Sequence, residues 1–365
     1  MCTLDGLARA ESLRMYIGTY TKGGSDGIYT LTLNNSTGEL SGPALAVNTE
    51  NPSFLAQHPS KAVVYAVGEM VENPDGPGGT ISAFSVDPTT GMLVLINRQS
   101  TVGDGPCHVA VAPSGKHVAV ANYGGGSVTL LPISEDGSLL PKCGFIQHEG
   151  KSVHPTRQEK PHAHSVTFDP LGRFLFAADL GIDRILIYRY DESGSLPANL
   201  PAFSALEPGS GPRHAKFHPS GKHFYVVNEL ASTVTAFVYD NSAGSLTPIQ
   251  TISTLPDGFG ESSTTAEIRV HPSGKFIYAS NRGHDSIASF QIDGDSGKLT
   301  AIGHTPTEGN TPRNFAIDPS GRFLIAANQN SDSIVVFRID ENSGVPEPTG
   351  HTASIVAPVC VLFLE

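Results

Sequence analysis

The chain has 365 residues, of which 39% are hydrophobic, with 39 Gly, 27 Pro, no Trp and a formal net charge of −12. That acidity, and the lack of any long Lys/Arg run, excludes the basic footprint of a nucleic-acid binder. No apolar run reaches the ~18 residues of a membrane span, and the four cysteines (Cys2, Cys107, Cys143, Cys360) lack both C-x-x-C spacing and the density of a disulfide framework, so a cytoplasmic protein with reduced thiols is expected.

In chain order, residues 1–14 carry no long apolar segment of a secretory signal and are expected to be a disordered extension. The first strand is "MYIGTY" (15–20), and its pattern returns at "VYAVGE" (64–69), "VAVANYGGGSV" (118–128), "LFAADLGIDRI" (175–185), "FYVVNELASTV" (224–234), "IYASNRGHDSI" (277–287) and "LIAANQNSDSI" (324–334). In the last five an Asn or Asp is followed six residues later by Ile or Val, which implies one turn geometry used repeatedly. After each comes an alternating apolar strand running into an Asp/Asn/Gly turn, such as "IYTLTLNNSTGEL" and "VTAFVYDNSAGSL". Period-2 alternation is the strand signature, and those turn residues supply hairpin geometry.

A third element ends in a proline turn: "PSFLAQHPS", "PCHVAVAPS", "AHSVTFDPL", "PRHAKFHPS", "TAEIRVHPS" and "PRNFAIDPS", with turn prolines 47 to 57 residues apart. Six copies occur where seven are needed. The seventh is the terminal "APVCVLFLE" (357–365), which predicts that the last strand joins the first unit and closes a ring. Closure removes exposed sheet edges. The expected fold is therefore all-β: a seven-bladed β-propeller of four antiparallel strands per blade, forming one domain over residues 15–365. Length alone would suggest two or three domains, but repeats share one architecture.

The innermost strand of each blade starts beside the end of the second strand, so both deliver side chains to one rim of the channel. The second and third residues of the innermost strands include His108 (beside Cys107), His164, Arg213, His214, Glu267 and Arg313; the second strands end at Tyr123, Glu229 and Arg282. Asn122, with its equivalents, is expected to cap a turn, and with Tyr123 it also lies on the substrate rim. Three arginines on one rim of an acidic protein point to an anionic guest, because guanidinium forks match carboxylate and phosphate. A structural salt-bridge network is the competing reading. His162 and His164 in "KPHAHS" could join Glu229 or Glu267 around a metal, but no established zinc motif is present and the arginines oppose a cation, so neither metal nor cofactor is expected. The long His-, Lys- and Arg-rich loop at 145–164 is a candidate lid, and "PDGFGESSTTAE" (256–267) a second.

The segments "MYIGTYT", "KPHAHS", "GPRHAKFHPSGKHFYVVNEL", "IYASNRGHDSI", "NTPRNFAIDPSGRFLIAANQNSDSIVVF" and "PVCVLF" resemble the seven-bladed propeller lactonase family. That family includes bacterial 6-phosphogluconolactonases and fungal 3-carboxy-cis,cis-muconate cyclases. The resemblance spans about residues 15–365 and places the family's histidine, two arginines and glutamate on His164, Arg213, Glu229 and Arg282. It implies hydrolysis of a small anionic sugar lactone, 6-phosphoglucono-1,5-lactone, by a monomer or weak homo-oligomer. In that reading His164 is the base, Arg213 faces the carbonyl, Arg282 and Arg313 anchor phosphate, and Glu229 orients His164 or water. A muconate cyclase and a non-catalytic binding propeller remain alternatives, since fold does not dictate function.

Overall fold

Strand-forming sequence dominates because the apolar residues alternate and the turns fall at Gly, Asp and Asn. In the computed structural model, which describes residues 12–73 and 76–364, seven four-stranded antiparallel sheets form the blades. Their innermost strands are Pro358–Phe363, Leu55–Gln57, Pro106–Val111, Ala163–Phe168, Pro212–Phe217, Thr264–Val270 and Pro312–Ile317, for blades 1 to 7 in turn. Each innermost strand contacts the innermost strands of the two adjacent blades, so the seven line a central channel.

Blade 1 closes the ring. Its strand order runs from Leu40–Asn48 through Gly27–Asn34 and Ser12–Thr19 to Pro358–Phe363, with Met15 opposite Phe363 and Ile17 opposite Val361. The first strand begins at Ser12, three residues earlier than the sequence pattern places it, because Leu13 and Arg14 pair with Leu33 and Thr32. Arg14 also donates to Thr90 O of blade 2 at 2.9 Å. The rest of the expected extension lies outside the described residues.

The core sits in the seams between blades. One cluster joins Leu130 and Ala119 of blade 3 to Val166, Leu175 and Tyr188 of blade 4; another joins Tyr225 and Val227 of blade 5 to Ile268 and Ile277 of blade 6. Buried hydroxyls stitch the same seams. Tyr16, Tyr65, Tyr225 and Tyr278 donate to the carbonyls of Gly91, Gly137, Gly297 and Gly344 at 2.8 to 3.0 Å. Each acceptor glycine has φ between 72° and 88°, a conformation costly for a side chain, so the turn glycines seen in the sequence also fix the spacing between blades.

Candidate active site

The rim residues are positioned by a repeated irregularity. In blades 3, 4, 5 and 7 the ladder skips one residue at the start of the innermost strand: Cys107, His164, Arg213 and Arg313 have no partner opposite them, whereas the residues on either side do. A bulge of this kind re-aims the extra side chain. It separates the two adjacent columns by depth. Three of the skipped residues, Cys107, His164 and Arg313, line one cavity at the mouth, and Arg213 is buried beside it against Glu229. The residues after Cys107 and Arg213, His108 and His214, sit below them in the channel together with Glu267 of blade 6, where the ladder skips both Ala266 and Glu267.

The cavity has a volume of about 210 Å³ and is lined by Glu69, Cys107, Tyr123, Arg157, His164, Glu229, Arg282 and Arg313. Glu229 is its hub. Its Oε2 accepts from Arg213 Nε at 2.9 Å and Arg282 Nη2 at 3.0 Å, and its Oε1 accepts from Arg157 Nη2 at 2.6 Å. Burial pushes the Glu229 carboxyl up, but Arg282, Arg213, His164 and Arg157 together hold it far below the usual carboxylate range. Arg213 is spent on structure at two donors, since Nη1 also reaches Ala266 O at 2.5 Å. Arg313 donates to Tyr20 Oη at 2.8 Å, and Tyr20 donates to Glu69 Oε2 at 2.9 Å. Arg282 Nε is buried with no hydrogen-bond partner among the described residues.

His164 lies 3.9 Å from Glu229 through Nε2, and its Nδ1 is 3.7 Å from the Cys107 thiol. Burial first, then the charge of Arg213 and a neighbouring His214, hold its pKa well below the ordinary histidine value. It is therefore neutral near pH 7 and able to accept a proton.

The other expected site residues divide. Tyr123 lines the cavity and accepts from Arg157 Nη2 at 3.1 Å. His162 stacks on Tyr123 with ring centroids 4.5 Å apart and bonds Tyr123 O through Nδ1 at 3.0 Å, so it supports the wall from behind. Asn122 departs from the substrate-binding expectation: its fully buried amide donates to Ser127 Oγ and Thr129 Oγ1 at 3.1 and 3.0 Å, which is the turn-capping role. His108 and Glu267 also fall outside the cavity. His108 packs on Phe54 and His214, at 4.1 and 5.2 Å between ring centroids. Glu267 is fully buried against His214 Nδ1 at 3.1 Å and Asn314 Nδ2 at 2.5 Å. His214 lies between these two layers, bonded to Glu267 and next to Arg213. No three His, Cys, Asp or Glu side chains converge on a metal-sized point among the described residues.

Arg157, Glu69 and Tyr20 were not among the expected site residues. Glu69 and Tyr20 end second strands in the same column as Glu229, a signal present in the repeat. Arg157 comes from the long loop, which is held as a wall of the cavity. Fully buried Gln158 donates to Leu180 O at 2.8 Å and accepts from His154 N at 3.0 Å, while Ser152 Oγ donates to Asp183 at 2.6 Å.

Comparison with known proteins places the chain in a family. A Bacillus subtilis 6-phosphogluconolactonase is 41% identical over 300 residues, covering 82% of this chain and 83% of the relative. A Formosa agariphila 6-phosphogluconolactonase is 37% identical, covering 82% and 85%. The solved structure of a Pseudomonas aeruginosa periplasmic gluconolactonase superposes with a TM-score of 0.92 at 34% identity, covering 97% of this chain and 99% of that one. The sequence profile described as "Lactonase, 7-bladed beta-propeller" matches residues 14–363, and the chain belongs to that family.

Proposed function

We propose that this protein hydrolyses 6-phosphoglucono-1,5-lactone to 6-phosphogluconate. The observation that carries this reading is an uncompensated positive charge in the mouth. Four guanidiniums (Arg157, Arg213, Arg282, Arg313) face two carboxylates (Glu69, Glu229), and the Arg282 Nε donor is buried and free among the described residues. A phosphate dianion matches that excess of two, and guanidinium forks bind it in a fixed orientation. Lactone hydrolysis is the activity named for the two curated relatives, which favours it over lactone formation from a muconate.

In the proposed mechanism Arg157, Arg282 and Arg313 hold the phosphate, and Arg213 fixes Glu229 while its remaining Nη2 is left for the lactone carbonyl. His164 removes a proton from water as the water oxygen attacks the carbonyl carbon. The imidazolium so formed lies beside Glu229, which stabilises it. The tetrahedral oxyanion then collapses, the ring C–O bond breaks, and His164 returns the proton to the departing oxygen. Glu229 itself is the poorer base of the two, because both of its oxygens are already committed to arginines. General base work of this type contributes about 10²–10⁴-fold.

The reading implies a cytoplasmic enzyme of sugar-phosphate metabolism, acting as a monomer or weak homo-oligomer on a small anionic substrate. No helix is long and apolar enough to cross a membrane among the described residues. The test is to offer the purified protein the phosphorylated lactone and 3-carboxymuconate in parallel, subtracting spontaneous lactone hydrolysis. Turnover of the lactone is expected. Turnover of the muconate alone, or of neither, overturns the assignment.

A further inference from the structure

The channel has a second mouth, at the proline-turn ends of the innermost strands, and it opens into a cavity of about 700 Å³. The two cavities are separated by a plug of rings. His164 of the upper cavity touches His214, which touches His108 and Phe54 of the lower one, with centroids 5.2 to 5.5 Å apart. Nothing in the proposed hydrolysis uses the lower cavity.

One layer of that cavity is asymmetric. Two residues beyond His214 and Glu267, the innermost strands of blades 5 and 6 place Lys216 and Arg269 side by side on the wall. The same position in the other five blades is Leu362, Ala56, Ala110, Thr167 and Ala316, all uncharged and all lining the cavity. Such a layer packs adequately with small or apolar side chains, so the two adjacent cations are not required by the fold. Arg269 is tied by Nε to Phe315 O at 3.2 Å and by Nη2 to Glu267 at 3.4 Å. Lys216 is mostly buried yet has no hydrogen-bond or ion-pair partner among the described residues.

Neighbouring acids balance one charge of the pair at most, since Glu267 is ion-paired with Arg269 at 3.4 Å. Glu267 already serves His214, Asn314 and the Ile268 amide. Asp169 and Asp318, on the cavity rim, are fully buried and accept from the Phe174 and Phe323 amides in their turns. Burial, and then the charge of Arg269, lower the Lys216 amine to about 8. An anion beside it would restore its ordinary basicity. The remaining wall sets the polar side chains of Gln57, His108 and Thr167 among apolar and aromatic ones, including Phe54, Phe168 and Phe217.

We propose that this lower mouth is a second binding site, taking a small carboxylate with a flat apolar body, the carboxylate between Lys216 and Arg269 and the body against the phenylalanines. A buried hydrogen bond to a charged partner is worth about 1.5–3 kcal/mol, or roughly 10- to 150-fold in affinity.

Benzoate is the probe, titrated calorimetrically into the full-length protein, with acetate and benzyl alcohol as ligands lacking the apolar body or the charge. Benzoate should bind in the millimolar range and more tightly than either control. Lys216→Gln should weaken it at least tenfold, and Lys216→Arg should restore it. Saturating 6-phosphogluconate should not displace it. The site is refuted if benzoate does not bind, if Lys216→Gln leaves its affinity unchanged while the variant unfolds at the wild-type temperature, or if 6-phosphogluconate competes. Because Lys216 makes no bond that folding depends on, loss of the fold in Lys216→Gln would equally contradict the account.

Discussion

At the scale of single residues, His164 and Glu229 show how one environment assigns two roles. Both are buried among the same guanidiniums. Burial and then positive charge lower the pKa of His164, whereas at Glu229 burial raises it and positive charge outweighs that, leaving His164 neutral and Glu229 ionised. Since the neutral form of His164 persists as pH falls through the ordinary histidine range, kcat/KM should stay flat down to about pH 6. Unphosphorylated glucono-1,5-lactone is the substrate for this profile, because it carries no titrating phosphate. A midpoint at or above the ordinary histidine value contradicts the assignment. Arg282→Ala should raise KM for the phosphorylated lactone about 10- to 100-fold and leave KM for the unphosphorylated one within a few-fold; equal effects on both would remove its role as phosphate anchor. Glu229→Gln leaves three buried or half-buried arginines without their common carboxylate. Breaking such a buried pair costs about 3–5 kcal/mol, measurable by denaturant unfolding, and a loss below about 1 kcal/mol would mean the hub is not structural.

At the scale of elements, the bulge explains what was legible in the sequence and what was not. The repeat aligned Arg213 with His164 and Arg313, and His214 with His108 and Glu267, because each pair of columns recurs at a fixed distance from a proline turn. Period-2 reasoning sends adjacent residues to opposite faces but says nothing of depth along the channel. The skipped ladder position puts His164 and Arg313 in the upper cavity, with Arg213 buried beside it against Glu229, and the second column beneath. Arg157 was hidden for a different reason: it belongs to a loop with no repeat to align it, and its place depends on bonds such as Gln158 to Leu180. Gln158→Ala should therefore act at a distance, lowering kcat/KM several-fold while making the 148–160 segment more sensitive to proteolysis. A variant unchanged in both would show that the loop positions Arg157 without that anchor.

At the scale of the whole molecule, closure of the ring is what brings Tyr20, near the start of the chain, within 2.8 Å of Arg313, from the last complete blade. The pairing of Pro358–Phe363 with Ser12–Thr19 was readable from the missing seventh copy of the proline-turn strand. The wide separation of these strands in sequence makes closure a non-local contact, of the kind associated with slow folding. The account's central claim concerns the chemistry that the closed ring assembles: a neutral histidine among guanidiniums hydrolysing a phosphorylated lactone. The most direct measurement is the initial rate of 6-phosphoglucono-1,5-lactone hydrolysis, above the spontaneous background, for the wild-type protein and His164→Ala. The account predicts a rate proportional to wild-type enzyme and a fall in kcat of about 10²–10⁴-fold in the variant. A wild-type rate indistinguishable from background, or a variant within about threefold of wild type, would contradict it.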